Sequence, residues 1–242
     1  MSHVTIIIAT FNVGDTLQRC IDSILSQSYR NWTLIVIDGG STDNTVDIIQ
    51  KNTHIISHWE SEPDNGIYHA WNKAIRHARG DWITFLGADD AFSDPGALTA
   101  MVEASDGSDL VFGRIALLDK DRRRRRVIGA PWEWKRLKCY QMLAHPGALH
   151  RRGLFDELGY FDERYRIAGD YDFLLRVGPG ARTTFVDRVI VDFSDSGVSR
   201  KQIVRTLKET RSIQRAHPAI GPLRADWNYA VARIKAIVRS WL

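Results

Sequence analysis

Short hydrophobic runs alternate with amphipathic stretches over the first third of the chain. Runs at residues 4–9, 33–37, 55–59 and 82–86 are bounded by turn-forming or polar residues, which predicts four strands. Between them, apolar residues recur at spacings of three and four, most clearly over residues 67–78, and this predicts a helix after each of the first three strands. The order βαβαβαβ calls for a parallel sheet with right-handed crossovers. We therefore predict an α/β fold.

Candidate binding residues directly follow three of these strands. They are Thr10, Phe11 and Asn12 after the first strand, Asp38 after the second, and Asp89 and Asp90 after the fourth. Ligands of open α/β sheets bind outside the carboxyl ends of the strands, so these positions predict a binding site. Two adjacent acids after a buried strand are costly unless they are paired or bind a metal, and carboxylates suit Mg²⁺ or Mn²⁺. The alternative is that these aspartates merely cap turns or helices.

Composition is that of a single globular protein. A chain of 242 residues with 44% hydrophobic and 26% charged residues can form one large α/β domain, and no stretch has the composition of a linker. The two cysteines are too few for a disulfide framework, which favours a reducing compartment. No run approaches the roughly 18 to 20 apolar residues that cross a bilayer. The apolar run near the amino terminus predicts a strand and not a signal peptide.

The chain beyond residue 90 has a less regular pattern. It predicts a helix at residues 95–104, a strand at residues 109–115 and a basic turn between strands at residues 119–126. Five consecutive arginines, Arg122 to Arg126, indicate either a solvated hairpin or contact with anionic lipid or an acidic acceptor.

Residues 200–242 differ in charge from the rest of the chain. They contain ten Lys or Arg against two acidic residues, a net charge of +8, which leaves −4 for residues 1–199. Apolar residues here form one helical stripe: Trp227, Ala230, Val231, Ile234, Ile237, Val238 and Trp241. The stripe predicts a helix that packs on the main domain or on a second subunit, or one that lies on an anionic membrane. We therefore divide the chain into a domain of residues 1–199 and a basic helical tail of residues 200–242.

Two common nucleotide-binding motifs are absent. No G-x-G-x-x-G follows the first strand, and no G-x-x-x-x-G-K-[ST] occurs anywhere in the sequence. These absences argue against dinucleotide-dependent dehydrogenases and P-loop enzymes. Two glycines, Gly39 and Gly40, instead follow the second strand, where they let the backbone turn sharply or approach a ligand closely.

Six sequence segments together resemble one protein family. They are IIIATFN, LSQSY, VIDGGSTDNT, SEPDNGIYHAWNKAI, GDWITFLGADD and GYFDERYRIAGDYDFLLR. In this order, over about residues 4–198, they resemble the family 2 glycosyltransferases of the GT-A fold, and in particular members that build bacterial surface polysaccharides. The resemblance implies a Rossmann-like, mixed but mainly parallel sheet flanked by helices, followed here by the helical tail.

The resemblance also implies roles for individual residues. The nucleotide-sugar donor would contact Thr10, Phe11, Asn12, Asp38, Asp64 and Asp89. Asp90 and His145 would hold Mn²⁺ or Mg²⁺, and Asp170 would be the catalytic base. For His145 the alternative is a histidine that only packs in the core.

The sequence departs from the family pattern at two places. Many relatives have two adjacent acidic residues where this chain has Asp38 and Gly39. Many also have Glu-Asp where this chain has Gly169 and Asp170, which leaves Asp170 and Asp172 to share the place of the base. Both acids also suit the start of a helix, where they favour the dipole.

The resemblance implies a metal-dependent, inverting transfer of a sugar. One metal site and one base suit a single displacement at the anomeric carbon. The Q-x-x-R-W sequence of processive polymerases is absent, which predicts addition of one sugar. We expect a UDP-sugar or dTDP-sugar donor, and a hydroxyl of a glycan or a polyprenyl-linked glycan as acceptor.

Other partners and functions follow from the same observations. We expect no nucleic-acid partner. A homodimer is possible through the tail, which could pack on a second subunit. The expected location is the cytoplasm, with peripheral contact on the inner face of the membrane through the C-terminal helix as the further expectation. One alternative function is a sugar nucleotidyltransferase, although the Gly-rich basic loop of that class does not follow the first strand. Another is a non-catalytic scaffold that binds nucleotide sugars.

Overall fold

The computed structural model describes residues 2–140, 143–194 and 202–240. Its strands are β1 (Val4–Thr10), β2 (Trp32–Asp38), β3 (Ile56–Ser61), β4 (Trp82–Gly87), β5 (Ala91–Phe92), β6 (Leu110–Leu118), β7 (Arg124–Ile128), β8 (Leu149–Arg151) and β9 (Thr183–Ser194). Its helices are α1 (Leu17–Leu25), α2 (Thr45–Lys51), α3 (Ile67–His77), α4 (Ala97–Glu103), α5 (Trp134–Leu137), α6 (Gly153–Leu158), α7 (Gly169–Val177), α8 (Ile203–Ala216) and α9 (Gly221–Ser240). The predicted βαβαβαβ order of the first part of the chain is confirmed.

The strands form one mixed sheet in the order β3-β2-β1-β4-β8-β6-β9-β5, and β7 pairs with β6. The neighbours β3, β2, β1 and β4 are parallel, as predicted. Strand β8 runs antiparallel to both β4 and β6, while β6 and β9 are parallel. The predicted fold class, a mixed α/β sheet flanked by helices with a C-terminal helix, is confirmed.

Hydrophobic clusters cover both faces of the parallel half of the sheet. Along β1, Ile7 belongs to one cluster, whereas Ile6 and Ile8 belong to the other, because successive strand residues point to opposite faces. The first cluster includes residues of α3 and α7, and the second includes residues of α1 and α2. Burial on both faces explains the nearly uninterrupted apolar runs in the sequence.

Strand register brings the candidate residues to one edge of the sheet. Thr10 at the end of β1 lies opposite Asp38 at the end of β2, and Ala9 lies opposite Gly87 at the end of β4. The residues that follow β1, β2 and β4 therefore meet at the carboxyl edge.

The basic segment forms a β-hairpin. Its turn is closed by a hydrogen bond from the amide of Asp119 to the carbonyl of Arg123, at 3.0 Å. Arg122, inside the turn, has a positive φ of 60°. Part of the arginine run lies in β7 and not in the turn, and Arg124 pairs with Asp192 of β9 at 2.8 Å. The hydrophobic pattern predicts neither β8 nor β9.

Helices α8 and α9 pack on the main domain. Glu209 of α8 accepts hydrogen bonds from the three backbone amides of residues 166–168, just before α7. The buried Gln214 donates to the hydroxyl of Tyr171 at 2.9 Å. In α9, Asn228 donates to the carbonyl of Lys138 at 3.1 Å.

Parts of the predicted tail lie outside the described residues. These are the boundary between residues 199 and 200, Trp241, and the side chains of Ile237 and Val238. Over the ranges that the structure describes, no helix is both long and apolar enough to cross a membrane.

Gly80 lies between α3 and β4 and directly against the start of β1. A Cβ atom there would lie 2.7 Å from both the carbonyl oxygen of His3 and the amide nitrogen of Thr5. Because both atoms belong to the backbone, we expect Gly80→Ala to lower the free energy of unfolding by about 2–3 kcal/mol in urea. The matched control is Gly180→Ala, since a Cβ there would meet nothing within 4 Å. Equal losses in the two variants would contradict this account.

Candidate active site

Asp38 is a buried carboxylate at the centre of a hydrogen-bond network. Its Oδ1 accepts from the hydroxyls of Thr10 at 2.8 Å and Ser41 at 2.5 Å. Its Oδ2 accepts from the backbone amides of Gly40 and Ser41, at 3.1 and 2.8 Å, and from the hydroxyl of Ser61 at 2.7 Å. Burial alone would raise the pKa of Asp38, but hydrogen bonding to the ionised form outweighs it and lowers the pKa. The ionised side chain thus connects the ends of β1 and β3 to the loop after β2.

The loop after β1 is fixed to the loop after β2. Asn12 has a positive φ of 51°. Its amide donates to the Ser41 hydroxyl at 2.8 Å, and its side-chain oxygen accepts from the Thr42 amide at 2.9 Å. Phe11, one residue earlier, is 62% exposed. The two loops therefore hold an exposed aromatic ring, on which a planar base can stack.

Asp64 reaches the same loops from the segment before α3. Its Oδ1 accepts a hydrogen bond from the amide of Gly66 at 2.7 Å. A Cβ atom on Gly39 would lie 2.8 Å from the other oxygen, Oδ2. A side chain at position 39 would therefore require the Asp64 carboxylate to move.

Asp89 and Asp90 follow β4, and Asp90 is almost fully buried. Its Oδ1 accepts from the amide of Ser194 at 2.9 Å. A Cβ atom on Gly87 would lie 2.4 Å from Oδ2 of Asp90 and 3.2 Å from Oδ1 of Asp89, so both carboxylates fold over this glycine. Burial, together with the neighbouring Asp89, raises the pKa of Asp90 to about 8.

The pair suits a divalent cation, since a bound cation would offset the cost of ionising Asp90. Among the described residues, no group of three or more His, Cys, Asp and Glu side chains is arranged to hold a metal ion. Mg²⁺ and Mn²⁺ sites are commonly completed by substrate phosphates, so one or two carboxylates can suffice. The predicted metal ligand Asp90 is therefore chemically suited to the role.

His145 lies in an aromatic cluster of the core. Its ring stacks on the rings of Trp71 and Phe85, at centroid distances of 5.3 and 5.5 Å. Its Nε2 has no hydrogen-bond partner among the described residues. Burial lowers the pKa of His145 to about 3, so the ring is neutral. The described residues do not join His145 and Asp90 in a cluster of ligands. The metal role of His145 stays a prediction.

A cavity of mixed charge opens beside Asp89. It has a volume of about 850 Å³ and lies between α1 and the β6–β7 turn. Arg19 lines it from α1 and donates a hydrogen bond to the carbonyl of Asp89. The hairpin adds three cations and two acids to the lining: Lys120, Arg122, Arg125, Asp119 and Asp121. Arg125 pairs with Asp119 at 3.8 Å, so part of this positive charge is balanced within the hairpin.

Asp170 lies at the start of α7 and faces α3. Its Oδ1 accepts from the amide of Tyr171 at 2.8 Å. The hydroxyl of Tyr68 lies 3.3 Å from the same oxygen and 2.7 Å from the carbonyl oxygen of Ile167, its nearer acceptor. Burial and the nearby Asp170 raise the pKa of Tyr68, which therefore remains a donor. A Cβ atom on Gly169 would lie 2.8 Å from the Tyr68 ring, so a side chain at this position would require that ring to move.

Asp172 is engaged in a different way. It pairs with Arg176 one turn later, at 3.0 Å. Arg176 also donates to the carbonyls of Leu158 and Tyr160, at 2.6 and 2.8 Å, which fixes the connection between α6 and α7. Burial raises the pKa of Asp172 although Arg176 opposes this.

The predicted residues fall into separate groups. The first group lies at the loops after β1 and β2 and consists of Thr10, Asn12, Asp38 and Asp64. Asp89 and Asp90 follow β4, Asp170 lies in α7, and His145 lies in the aromatic cluster. Sequence reasoning missed Arg19, Tyr68 and Ser194, which contact the predicted residues. No spacing signal could have revealed these contacts, since they join positions 70 to 104 residues apart.

Solved structures with this fold are found among GT-A enzymes. TarS of S. aureus in complex with UDP-GlcNAc matches with a TM-score of 0.70 at 18% identity, over 95% of this chain and 71% of that one. Mannosyltransferase PcManGT from Pyrobaculum calidifontis, in complex with GDP-Man and Mn²⁺, matches with a TM-score of 0.66 at 20% identity, over 98% and 75%. At these identities the likeness shows the fold, which is of the GT-A type.

Sequence comparison identifies the family. The model of glycosyl transferase family 2 matches residues 5–156. A PGL/p-HBAD biosynthesis glycosyltransferase of Mycobacterium tuberculosis is 33% identical over 210 residues, which are 83% of this chain and 80% of the relative. The protein is a glycosyltransferase and belongs to family 2, so the resemblance seen in the sequence is confirmed.

Replacing Asp90 by asparagine tests the electrostatics of the site. An acid whose pKa rises on folding does not change the free energy of unfolding below its unfolded pKa of about 3.9. Above that pH it lowers the free energy of unfolding, increasingly so as the pH rises toward the folded pKa. In EDTA, Asp90→Asn should therefore gain stability over the wild type between about pH 4 and pH 8, by at most about 1.4 kcal/mol per pH unit. Urea unfolding measures this difference. The exposed Asp106→Asn is the control, and a pH-independent difference for Asp90→Asn would refute the assignment.

Proposed function

We propose that the protein transfers one sugar from a UDP- or dTDP-sugar to an acceptor hydroxyl, with inversion at the anomeric carbon and with Mn²⁺ or Mg²⁺ as cofactor. The observation that carries the proposal is the carboxylate pair at the end of β4, set by strand register beside the loops of β1 and β2. In a member of glycosyltransferase family 2, we place the donor at this edge.

The nucleoside end of the donor lies at the loops after β1 and β2. Phe11 offers its exposed ring to the base, and Asn12 and Thr10 shape the loop around it. Asp38 already accepts five hydrogen bonds, so its part is to hold these loops in place. Asp64 lines the same pocket from the segment before α3. A protein of similar fold binds UDP-GlcNAc, which is the class of donor proposed here.

The diphosphate end lies at β4. Asp89 faces the ribose and Asp90 holds the metal. When bound, the divalent ion offsets the negative charge that grows on the leaving nucleoside diphosphate. Arg19, which donates to the carbonyl of Asp89, adds fixed positive charge beside it. Mn²⁺ accompanies the donor in the mannosyltransferase of similar fold.

Asp170 is the catalytic base of the proposal. A base must accept the proton of the acceptor hydroxyl as that oxygen attacks the anomeric carbon. Asp172 is engaged by Arg176, whereas the Tyr68 hydroxyl and the Tyr171 amide fix one oxygen of Asp170. One base that activates the acceptor directly gives a single displacement and hence inversion.

The acceptor and the setting complete the proposal. We propose a hydroxyl of a glycan or polyprenyl-linked glycan in surface polysaccharide synthesis. The catalytic domain spans residues 1–199 and the tail residues 200–242. The enzyme works in the cytoplasm, with the tail in peripheral contact with the inner face of the membrane.

Thermal unfolding with UDP, dTDP, GDP and CDP, each with Mn²⁺ or EDTA, tests the donor site. We expect UDP or dTDP to stabilise the protein in the presence of metal, by about 2.7 kcal/mol at a hundredfold excess over Kd. Asp90→Ala should abolish this stabilisation, whereas Asp106→Ala should retain it. Stabilisation by GDP alone would overturn the proposed base, and no stabilisation by any nucleotide would overturn the donor site.

Turnover of two aspartate variants tests the catalytic base. We expect Asp170→Asn to lower kcat by about 10²- to 10⁴-fold while it keeps metal-dependent nucleotide binding. Asp172→Asn is the matched variant on the same helix. Its kcat should fall less than that of Asp170→Asn, because Arg176 already engages the Asp172 carboxylate. The reverse ranking of the two kcat values would exchange their roles.

A further inference from the structure

The outward face of α9 presents large apolar side chains to solvent. Leu223 is 87% exposed, Trp227 71% and Ile234 62%. At 3.6 residues per turn, these three residues and Ala230 fall within an arc of about 60°. We call these four residues the outer stripe.

The opposite side of α9 packs on the protein. Ala225 is fully buried, and Asn228 donates to the carbonyl of Lys138. Asp226, which lies beside the stripe on the same edge as Arg233, pairs with Arg211 of α8 at 2.7 Å. These contacts hold α9 in place without the outer stripe, which is therefore available to a partner.

Cations border the outer stripe on both sides. At helical spacing, Arg224 and Lys235 lie along one edge and Arg233 along the other, and all three are exposed. The only acid in the sequence of α9 is Asp226, and arginines of α8 already engage it. The surface around the stripe is therefore positively charged, in keeping with the net charge of +8 of residues 200–242.

We propose that the outer stripe docks on an anionic phospholipid surface. An apolar helix face between cations matches a bilayer interface, where side chains enter the acyl boundary and cations meet lipid phosphates. A second copy of this chain would bring the same positive charge to the stripe, so charge complementarity favours lipid over a dimer. This docking rests on the membrane contact in the proposed function, where it would bring the protein to a lipid-linked acceptor.

Co-sedimentation of the full chain with vesicles tests the docking without any donor or acceptor. We expect binding to phosphatidylglycerol–phosphatidylcholine vesicles, little binding to phosphatidylcholine alone, and weaker binding as salt is raised. The triple variant Leu223→Gln, Trp227→Gln and Ile234→Gln should bind at least about tenfold more weakly. Its side chains are exposed, so its Tm and its transfer to a water-soluble acceptor should match the wild type. That comparison separates a failure of docking from a failure of the proposed activity.

A matched pair of charge variants tests whether the cations act at this surface. Arg233→Glu with Lys235→Glu should weaken binding to anionic vesicles at least about tenfold. Lys51→Glu with Arg79→Glu changes the net charge equally at exposed positions of the main domain, and should weaken it less than about threefold. Equal losses in both pairs, or no binding by the wild type, would overturn the proposal. So would a dimer that the triple variant dissociates while lipid binding is unchanged.

Discussion

The cost of burying charge at the carboxyl edge of the sheet organises the site. Asp38 ends β2 and Asp90 lies three residues after the end of β4, both strands pair with β1, and both side chains are almost inaccessible to solvent. Five donors satisfy Asp38 and outweigh the effect of its burial, so its pKa is lowered, whereas burial together with the neighbouring Asp89 raises the pKa of Asp90. The first aspartate therefore fixes the loops of the proposed donor site. A bound cation would lower the raised pKa of the second, which suits the proposed metal ligand.

The parallel half of the fold, and with it the meeting of the candidate residues at one edge of the sheet, could be predicted from the sequence. Strands covered on both faces leave nearly continuous apolar runs, and the residues that follow them must meet at one edge. The partners of the predicted aspartates could not be predicted in the same way. Ser194 meets Asp90 at the end of a strand that the hydrophobic pattern does not show, and Tyr68 meets Asp170 across 102 residues. Contacts of that range depend on the packed fold and leave no local pattern.

The two departures from the family pattern lie against the same part of the chain. A side chain at position 39 would require the Asp64 carboxylate to move, and one at position 169 would require the Tyr68 ring to move. Asp64 lies just before α3, and Tyr68 lies in the first turn of that helix. The start of α3 therefore reaches the loop after β2 on one side and the start of α7 on the other. The two glycines leave room for these two side chains.

The tail is distinct in charge but not in structure. Glu209 of α8 accepts hydrogen bonds from the three amides that precede α7, and Gln214 holds the Tyr171 hydroxyl inside that helix. Amides at the start of a helix lack partners within it, so a carboxylate there fixes the helix end. Asp170 lies directly after these amides. The helical hairpin that carries the outer stripe therefore also fixes the start of the helix on which the proposed base lies.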